Sequence, residues 1–342
     1  MKKIVVMGDS LVSSKTLIDA AKTIYKDVEV KAFDWHANLS KDQFQAHIKD
    51  IELHGPEEQF IPTGIIEALK EADVFLLHYG PVSKMMIESM KKGTLVGLCR
   101  GGVENVNVEA CRNKDIRVIH CIRNAEPVAE FTIGLMLAQT RNIVRSNWSI
   151  LNGKWQKDFS NNEFKTTISG KTIGLVGLGS IGRLVVKQLK GFDCNIIVYD
   201  PYVKPSKDNK NFQLVDLETL LKESDIVSLH ARVTEETKDM ISFEEINMMK
   251  KSAYIINTAR PGLLNKEALL DALKEKRIAG AALDVMWEEP IDKNDAILKL
   301  DNITLTTHIA GDTVDAITMS PFLLAKEIIA YETMGKKEMI VV

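Results

Sequence analysis

The chain has 342 residues, 45% of them hydrophobic and 27% charged, and a formal net charge of −3. That length suits two domains of ordinary size, and the composition suits a soluble globular protein with large cores. The near-neutral balance excludes a basic field for nucleic acid or for an anionic membrane.

The first apolar run, KIVVMG at 3–8, meets Gly8 and Asp9 too early to be the core of a signal peptide. It reads as a strand. VEVKAF (28–33), DVFLLHYG (73–80), TLVGLC (94–99) and IRVIHC (116–121) follow as further strands, with helical patterns between them, around 13–25 and 83–92 for example. This alternation argues for βαβ units and a parallel sheet, and runs apolar on both faces fit strands covered by helices on each side.

Residues 125–150 read as one helix with Pro127 in its first turn, where proline is tolerated. It is apolar on nearly all sides from Val128 to Ala138, so it should be buried in a core or an interface. Its most apolar part, FTIGLMLA (131–138), is too short to span a bilayer. The arginines and Trp148 beyond it fit either an interface arm or an exposed amphipathic end.

A second series begins at residue 171: KTIGLVG (171–177), NIIVYD (195–200), DIVSLH (225–230), AYIINTA (253–259), AGAALDV (279–285) and NITLTTH (302–308). Two such series predict two doubly wound α/β domains. No Pro/Gly-rich linker divides them. Residues 312–335 close the chain as a helix with Asp312 as its cap, and the pattern leaves open which domain it packs on. Cys99, Cys111, Cys121 and Cys194 form no CxxC pair and are too few for a disulfide framework, which predicts free thiols in a cytoplasmic protein.

GLVGLGSIG carries G-x-G-x-x-G at Gly177, Gly179 and Gly182. The pattern alone is weak. Here a strand precedes it, a helix follows, and Asp200 ends the next strand at the spacing of a ribose-binding acid. Gly177 permits the tight turn, Gly179 lets backbone approach a pyrophosphate, and Gly182 lets helix and strand pack closely. The helix-start N–H groups near Ser180 and Ile181 then face the phosphates. A carboxylate at Asp200 repels a 2′-phosphate, so NAD is expected rather than NADP. The competing reading is a similar turn that binds another nucleotide or none.

The later strands end in Arg260, in Asp284 leading to Glu289, and in His308. Taken singly, each has a bland reading as a surface charge, a solvated turn or a structural histidine. Three together at successive strand ends, where open parallel sheets bind ligands, point to a site.

The motifs GLVGLGSIGR, VYDPY, SLHARVTEETKDMI, INTARPGLLNKEALLDALK, GAALDVMWEEP and LTTHIAG make the chain resemble the D-isomer-specific 2-hydroxyacid dehydrogenases over nearly its whole length. The resemblance implies a flavodoxin-like substrate domain, 1–107 plus 312–342, with a Rossmann NAD-binding domain inserted at 108–311, and a homodimer. It implies that Arg260 binds the substrate carboxylate with its planar fork. His308 would then be the general acid that protonates the carbonyl oxygen as hydride arrives, and Glu289 would favour its charged form. Ala231, Arg232, Thr258, Ala259, Asp284 and His308 would lie against the cofactor. The loops LHYGPV (77–82) and CRGGVENV (99–106) match substrate loops, which nominates Tyr79, Gly80, Gly101 and Gly102. Arg100 would recognise a distal phosphate or carboxylate, or is a surface arginine.

Pro261 after Arg260 and Thr307 before His308 depart from the family's common pattern and bear on pocket shape. Glu289, where formate dehydrogenases have glutamine, argues against formate. No appended regulatory domain follows the last helix, so serine feedback of that kind is not expected. An NADH-responsive corepressor on the same fold and a phosphite dehydrogenase remain the alternatives. Lactate-, glycerate-, phosphoglycerate- and sugar-acid-type substrates all remain open.

Overall fold

The computed structural model describes residues 1–205, 211–337 and 339–342, with the side chains of residues 41 and 42 outside the description. The chain divides into two compact units, Met1–Arg123 with Thr313–Val342, and Asn124–Asp312.

The first unit is built on five parallel strands: β1 Lys2–Gly8, β2 Val28–Asp34, β3 Val74–Leu77, β4 Leu95–Leu98 and β5 Arg117–His120. Their order is β2-β1-β3-β4-β5, the flavodoxin-like order, which reverses direction between β1 and β3. All four residues of β3 and of β4 are buried. Val5, Phe75 and Leu77 pack into the core on one face, and Ile4, Val6 and Leu76 into that on the other. Each such side chain contributes about 1.5–3 kcal/mol when fully buried. Ser13 caps the helix Ser14–Ile24 through the Thr16 N–H.

This unit runs to Arg123 instead of ending at 107, because β5 pairs with β4 and completes the sheet. The closing segment also belongs to it. The helix Ser320–Met334 packs on the helix Ser14–Ile24. Ile340 then bridges Ile119 in antiparallel fashion, and the Val118 N–H donates to the Val342 carbonyl. The expected single helix over 312–335 is two: Val314–Thr318, capped by Thr313 and not by Asp312, and Ser320–Met334 with Pro321 in its first turn.

The second unit holds seven parallel strands: β6 Thr172–Val176, β7 Asn195–Tyr199, β8 Gln213–Leu214, β9 Ile226–Leu229, β10 Tyr254–Asn257, β11 Gly280–Leu283 and β12 Ile303–Leu305. Their order, β12-β11-β10-β9-β6-β7-β8, is that of a doubly wound dinucleotide-binding sheet extended by one strand. Helix Ala125–Thr140 packs on helix Ser180–Leu189, and so its hydrophobic face is spent inside this unit. The expected helix over 125–150 breaks at Asn142, whose φ of +58° is left-handed, and resumes as Ile143–Leu151. β12 ends at Leu305, so His308 stands on a loop three residues beyond the strand.

Candidate active site

In the second unit the chain leaves β6 through Gly177 at φ +100° and enters the helix Ser180–Leu189 behind Gly179. A Cβ on Gly177 would lie 2.7 Å from the Ala231 nitrogen, and one on Gly182 would strike the Gly177 carbonyl oxygen. Only glycine fits both places. Gly179 faces open space, and no side chain caps the helix, so its first N–H groups at Ser180 and Ile181 stay available to an anion. Asp200 follows β7. Its Oδ2 accepts from the Leu178 N–H at 2.7 Å and its Oδ1 from the Tyr202 N–H at 2.9 Å, which ties the acid to the glycine turn. A cleft of about 560 Å³ lies beside Asp200, lined by Tyr199, Pro201, Val203 and Val215 among others. Its size suits a small-molecule moiety.

The ends of β9 to β12 carry the remaining groups. Ala231 and Arg232 follow β9, and the Arg232 carbonyl accepts from the Thr237 hydroxyl at 2.6 Å. Thr258 is buried, its hydroxyl 2.7 Å from that of Thr132. Asn257 accepts from the Ala259 N–H at 3.0 Å and donates to the Arg260 carbonyl at 2.9 Å, so one amide shapes the turn that presents Arg260. The Arg260 side chain is exposed.

Asp284, at the end of β11, is fully buried. Its carboxylate accepts from the Thr306 hydroxyl at 2.6 Å and from the Ile309 and Ala310 N–H groups at 3.0 and 2.9 Å. It therefore grips the loop on both sides of His308, whose φ is +57°. His308 Nδ1 lies 2.8 Å from Glu289 Oε2 and 3.1 Å from Oε1. The Met286 N–H donates to Glu289 at 3.0 Å. That bond, with His308 and the Arg260 charge nearby, outweighs partial burial and holds the Glu289 carboxyl below its usual range. An ionised Glu289 only accepts, so Nδ1 carries the proton, and Nε2 has no partner among the described residues. Glu289 and His308 are thus brought together, with Arg260 near enough for its charge to act on Glu289.

His230, which pattern reading passed over, lies under the glycine turn. Burial lowers its ring to about 4 and keeps it neutral, and its Nδ1 is shut from solvent with no partner among the described residues.

The first unit gathers its own polar groups at the carboxyl edge of its sheet. Asp9 follows β1, and its carboxylate accepts from the Leu11 and Val12 N–H groups at 2.9 Å, from the Tyr79 N–H at 3.0 Å, and from His78 Nδ1 at 3.0 Å. Burial alone would raise this carboxyl, but His78 and the backbone donors hold it below its usual range. Burial likewise keeps His78 neutral. His78 Nε2 accepts from Arg123 Nη1.

The substrate-loop candidates lie around this cluster. The Tyr79 N–H is already taken by Asp9. The N–H groups of Gly80, Gly101 and Gly102 donate to no partner among the described residues. The Gly80 carbonyl accepts from Asn105 at 2.8 Å and that of Gly101 from His120 Nδ1 at 2.7 Å. Arg100 is not a surface arginine. It is 6% exposed, lies 4.2 Å over the Tyr79 ring, and pairs with Glu52 at 2.7 Å and Glu104 at 3.1 Å. Its charge is matched twice. Asp9, His78 and Arg123 went unnominated, because nothing in their local sequence says that three strand ends converge.

The sequence profile of the D-isomer specific 2-hydroxyacid dehydrogenases, NAD binding domain, matches residues 133–310. This chain belongs to that family. The dehydrogenase is 43% identical over 234 residues to a glyoxylate reductase of Thermofilum pendens, covering 67% of this chain and 69% of the relative. It is 40% identical over 269 residues to a D-3-phosphoglycerate dehydrogenase of Methanocaldococcus jannaschii, covering 77% of this chain and 50% of that protein, so it spans half that relative's length. The D-isomer specific 2-hydroxyacid dehydrogenase of Lactobacillus delbrueckii ssp. bulgaricus, solved in its NAD-complexed form, superposes with a TM-score of 0.72 over the whole of both chains at 23% identity, a likeness of fold. The dehydrogenase uses NAD. The glycine turn with no room for a Cβ, the uncapped helix start and the nearby Asp200 fit a dinucleotide-binding turn.

Proposed function

We propose that this dehydrogenase interconverts a 2-keto acid and a D-2-hydroxy acid, with His308 as general acid and base, Glu289 orienting it, and Arg260 binding the substrate carboxylate. The observation that carries this reading is the Glu289–His308 pair at 2.8 Å beside Arg260, with the ring's Nε2 unengaged. When bound, NAD supplies hydride donation and acceptance. The protein's part is to place and to protonate. Arg260 offers a planar pair of donors to a carboxylate, which fixes the neighbouring carbonyl. His308 gives its Nε2 proton to the carbonyl oxygen during reduction and takes it back during oxidation. Glu289 keeps Nδ1 protonated, so that Nε2 is the nitrogen that exchanges. Asp284 anchors the loop that carries the ring.

Gly177, Gly179, Ser180, Ile181, Gly182, Asp200, Ala231, Arg232, Thr258 and Ala259 form the NAD site in this reading, and Asp200 disfavours a 2′-phosphate. Tyr79, Gly80, Arg100, Gly101 and Gly102 are the first unit's substrate loops. Of these, the three glycines are best supported, because their N–H groups have no partner among the described residues. The exposed Ile143, Val144, Trp148, Leu151 and Trp155 support a homodimer, and four free cysteines support a cytoplasmic enzyme.

NADH consumption against pyruvate, glyoxylate, hydroxypyruvate, 2-ketoglutarate and phosphorylated keto acids, with NADPH alongside, tests the reading. Saturable NADH-dependent turnover that disappears in His308→Ala is the expected result. No turnover on any of them, with NADH still bound, would overturn it.

A further inference from the structure

The turn after β10 presents Arg260, and little holds that residue's backbone. β10 ends at Asn257. Among the described residues the Arg260 carbonyl accepts from the Asn257 side-chain amide at 2.9 Å and, at the longer distance of 3.4 Å, from the Leu263 N–H. Asn257 is 1% exposed, and both ends of its amide are spent on this turn. Its Oδ1 accepts from the Ala259 N–H at 3.0 Å, and its Nδ2 donates to Arg260. Thr258, the next residue, is tied separately, its hydroxyl 2.7 Å from that of Thr132 on the helix Ala125–Thr140.

The amide grips backbone and leaves the guanidinium alone. The Arg260 side chain is exposed, and its Nη1 donates to the Ala259 carbonyl at 2.7 Å, within the same turn. It makes no ion pair among the described residues, so its other N–H donors are left for a ligand. A neutral amide is the group that does this. An ionised carboxyl in its place could not donate to the Arg260 carbonyl, and it would offer the guanidinium a competing partner. The support is also continuous with that of the histidine loop. The Asp284 N–H donates to the Asn257 carbonyl at 3.0 Å, so the residue that shapes the Arg260 turn and the residue that grips the flanks of His308 are bonded neighbours at the ends of β10 and β11. Side chains held on strand ends by such bonds are placed more closely than side chains on unsupported loops.

We propose that Asn257 is the positioning residue of the carboxylate-binding arginine: its amide sets the backbone from which Arg260 reaches the substrate. Asn257 acts through Arg260 and touches no substrate atom. This rests on the reading above, in which Arg260 binds the carboxylate next to the keto group.

The test separates KM from kcat. Both are measured with NADH for glyoxylate and hydroxypyruvate, and binding of oxamate, an unreactive isostere of a 2-keto acid, to the NADH-loaded protein is followed by calorimetry. Asn257→Leu should raise KM and the oxamate Kd about tenfold, the worth of a lost hydrogen bond, and leave kcat within about threefold and the Kd for NADH unchanged. In an Arg260→Gln background the same change should cost less than about twofold more, because the residue it positions is gone. Asn257→Asp adds a pH readout. Protonated, the introduced carboxyl accepts and donates as the amide does; ionised, it cannot donate. Its KM relative to the wild type should be roughly one at about pH 5 and climb about tenfold by about pH 8, over the range where a buried carboxyl ionises. Thermal melts confirm that each variant folds, and Asn257→Asp, close to the original in size, carries the test if Asn257→Leu does not fold. An Asn257→Leu effect that is absent, that falls on kcat or on NADH binding, or that persists undiminished beside Arg260→Gln overturns the proposal, as does a flat pH ratio for Asn257→Asp. If Arg260→Gln alone leaves KM and oxamate binding unchanged, the reading of Arg260 fails and this inference falls with it.

Discussion

Two histidine–carboxylate pairs stand at strand ends, one in each unit, with similar bonds and opposite surroundings. His78 and Asp9 lie 3.0 Å apart with side chains 0% and 1% exposed. His308 and Glu289 lie 2.8 Å apart with side chains 48% and 42% exposed. In the buried pair every neighbour fixes a proton: three backbone N–H groups hold Asp9 ionised, and burial holds His78 neutral. Such a pair positions something else. In the open pair one ring nitrogen is engaged by Glu289 and the half-exposed side chain leaves the ring within reach of a ligand, which is what the proposed proton transfer needs. In the proposed reading the same two residue types become a support or a reagent according to water access.

The sharpest way to break this comparison is to remove the open ring. His308→Ala should lower kcat about 10²- to 10⁴-fold, the usual worth of a general acid, with the Kd for NADH unchanged in a fluorescence titration. Arg260→Gln should come next, cutting kcat/KM about 100-fold, mostly through KM, because it removes a two-point contact to a carboxylate.

The buried histidines predict a pH effect. His78 and His230 both have folded pKa values below the unfolded 6.5, His230 at about 4. The unfolded chain therefore binds protons more readily, so their contribution is fully present above pH 6.5 and is lost as pH falls below it. Urea unfolding should show roughly 2 kcal/mol lost from His230 alone between pH 7 and 5, and His230→Gln should remove that part. An unchanged midpoint over this range would contradict the buried, neutral assignment. The smallest effect belongs to Asp200→Asn, which should narrow the NADH preference over NADPH about tenfold in competition assays, as expected when a repulsive carboxylate is neutralised.

Much of this contrast was legible in advance and part was not. Arg260, Glu289 and His308 stand out because unusual polar residues interrupt apolar strand ends. The glycine turn stands out because strand, spacing and acid agree. Asp9, His78 and Arg123 are separated by 69 and 45 residues, and only the sheet order brings them together. One partner of Arg100 was hidden for the same reason, since Glu52 lies on the helix Lys41–His54. β8 has two residues, too few to show a period. The break at Asn142 carries no glycine or proline to announce it.

The backbone at His308 sets fold and chemistry against each other. A histidine at φ +57° is strained by about 1 kcal/mol or more relative to glycine, and the grip of Asp284 on both flanks holds it there. Glycine or asparagine would rest more easily in that conformation and could not do the proton's work. Under the proposed role of His308, selection for heat tolerance alone would thus drift toward a sturdier, silent protein, and the strain is the cost of keeping a proton-transferring ring at this position.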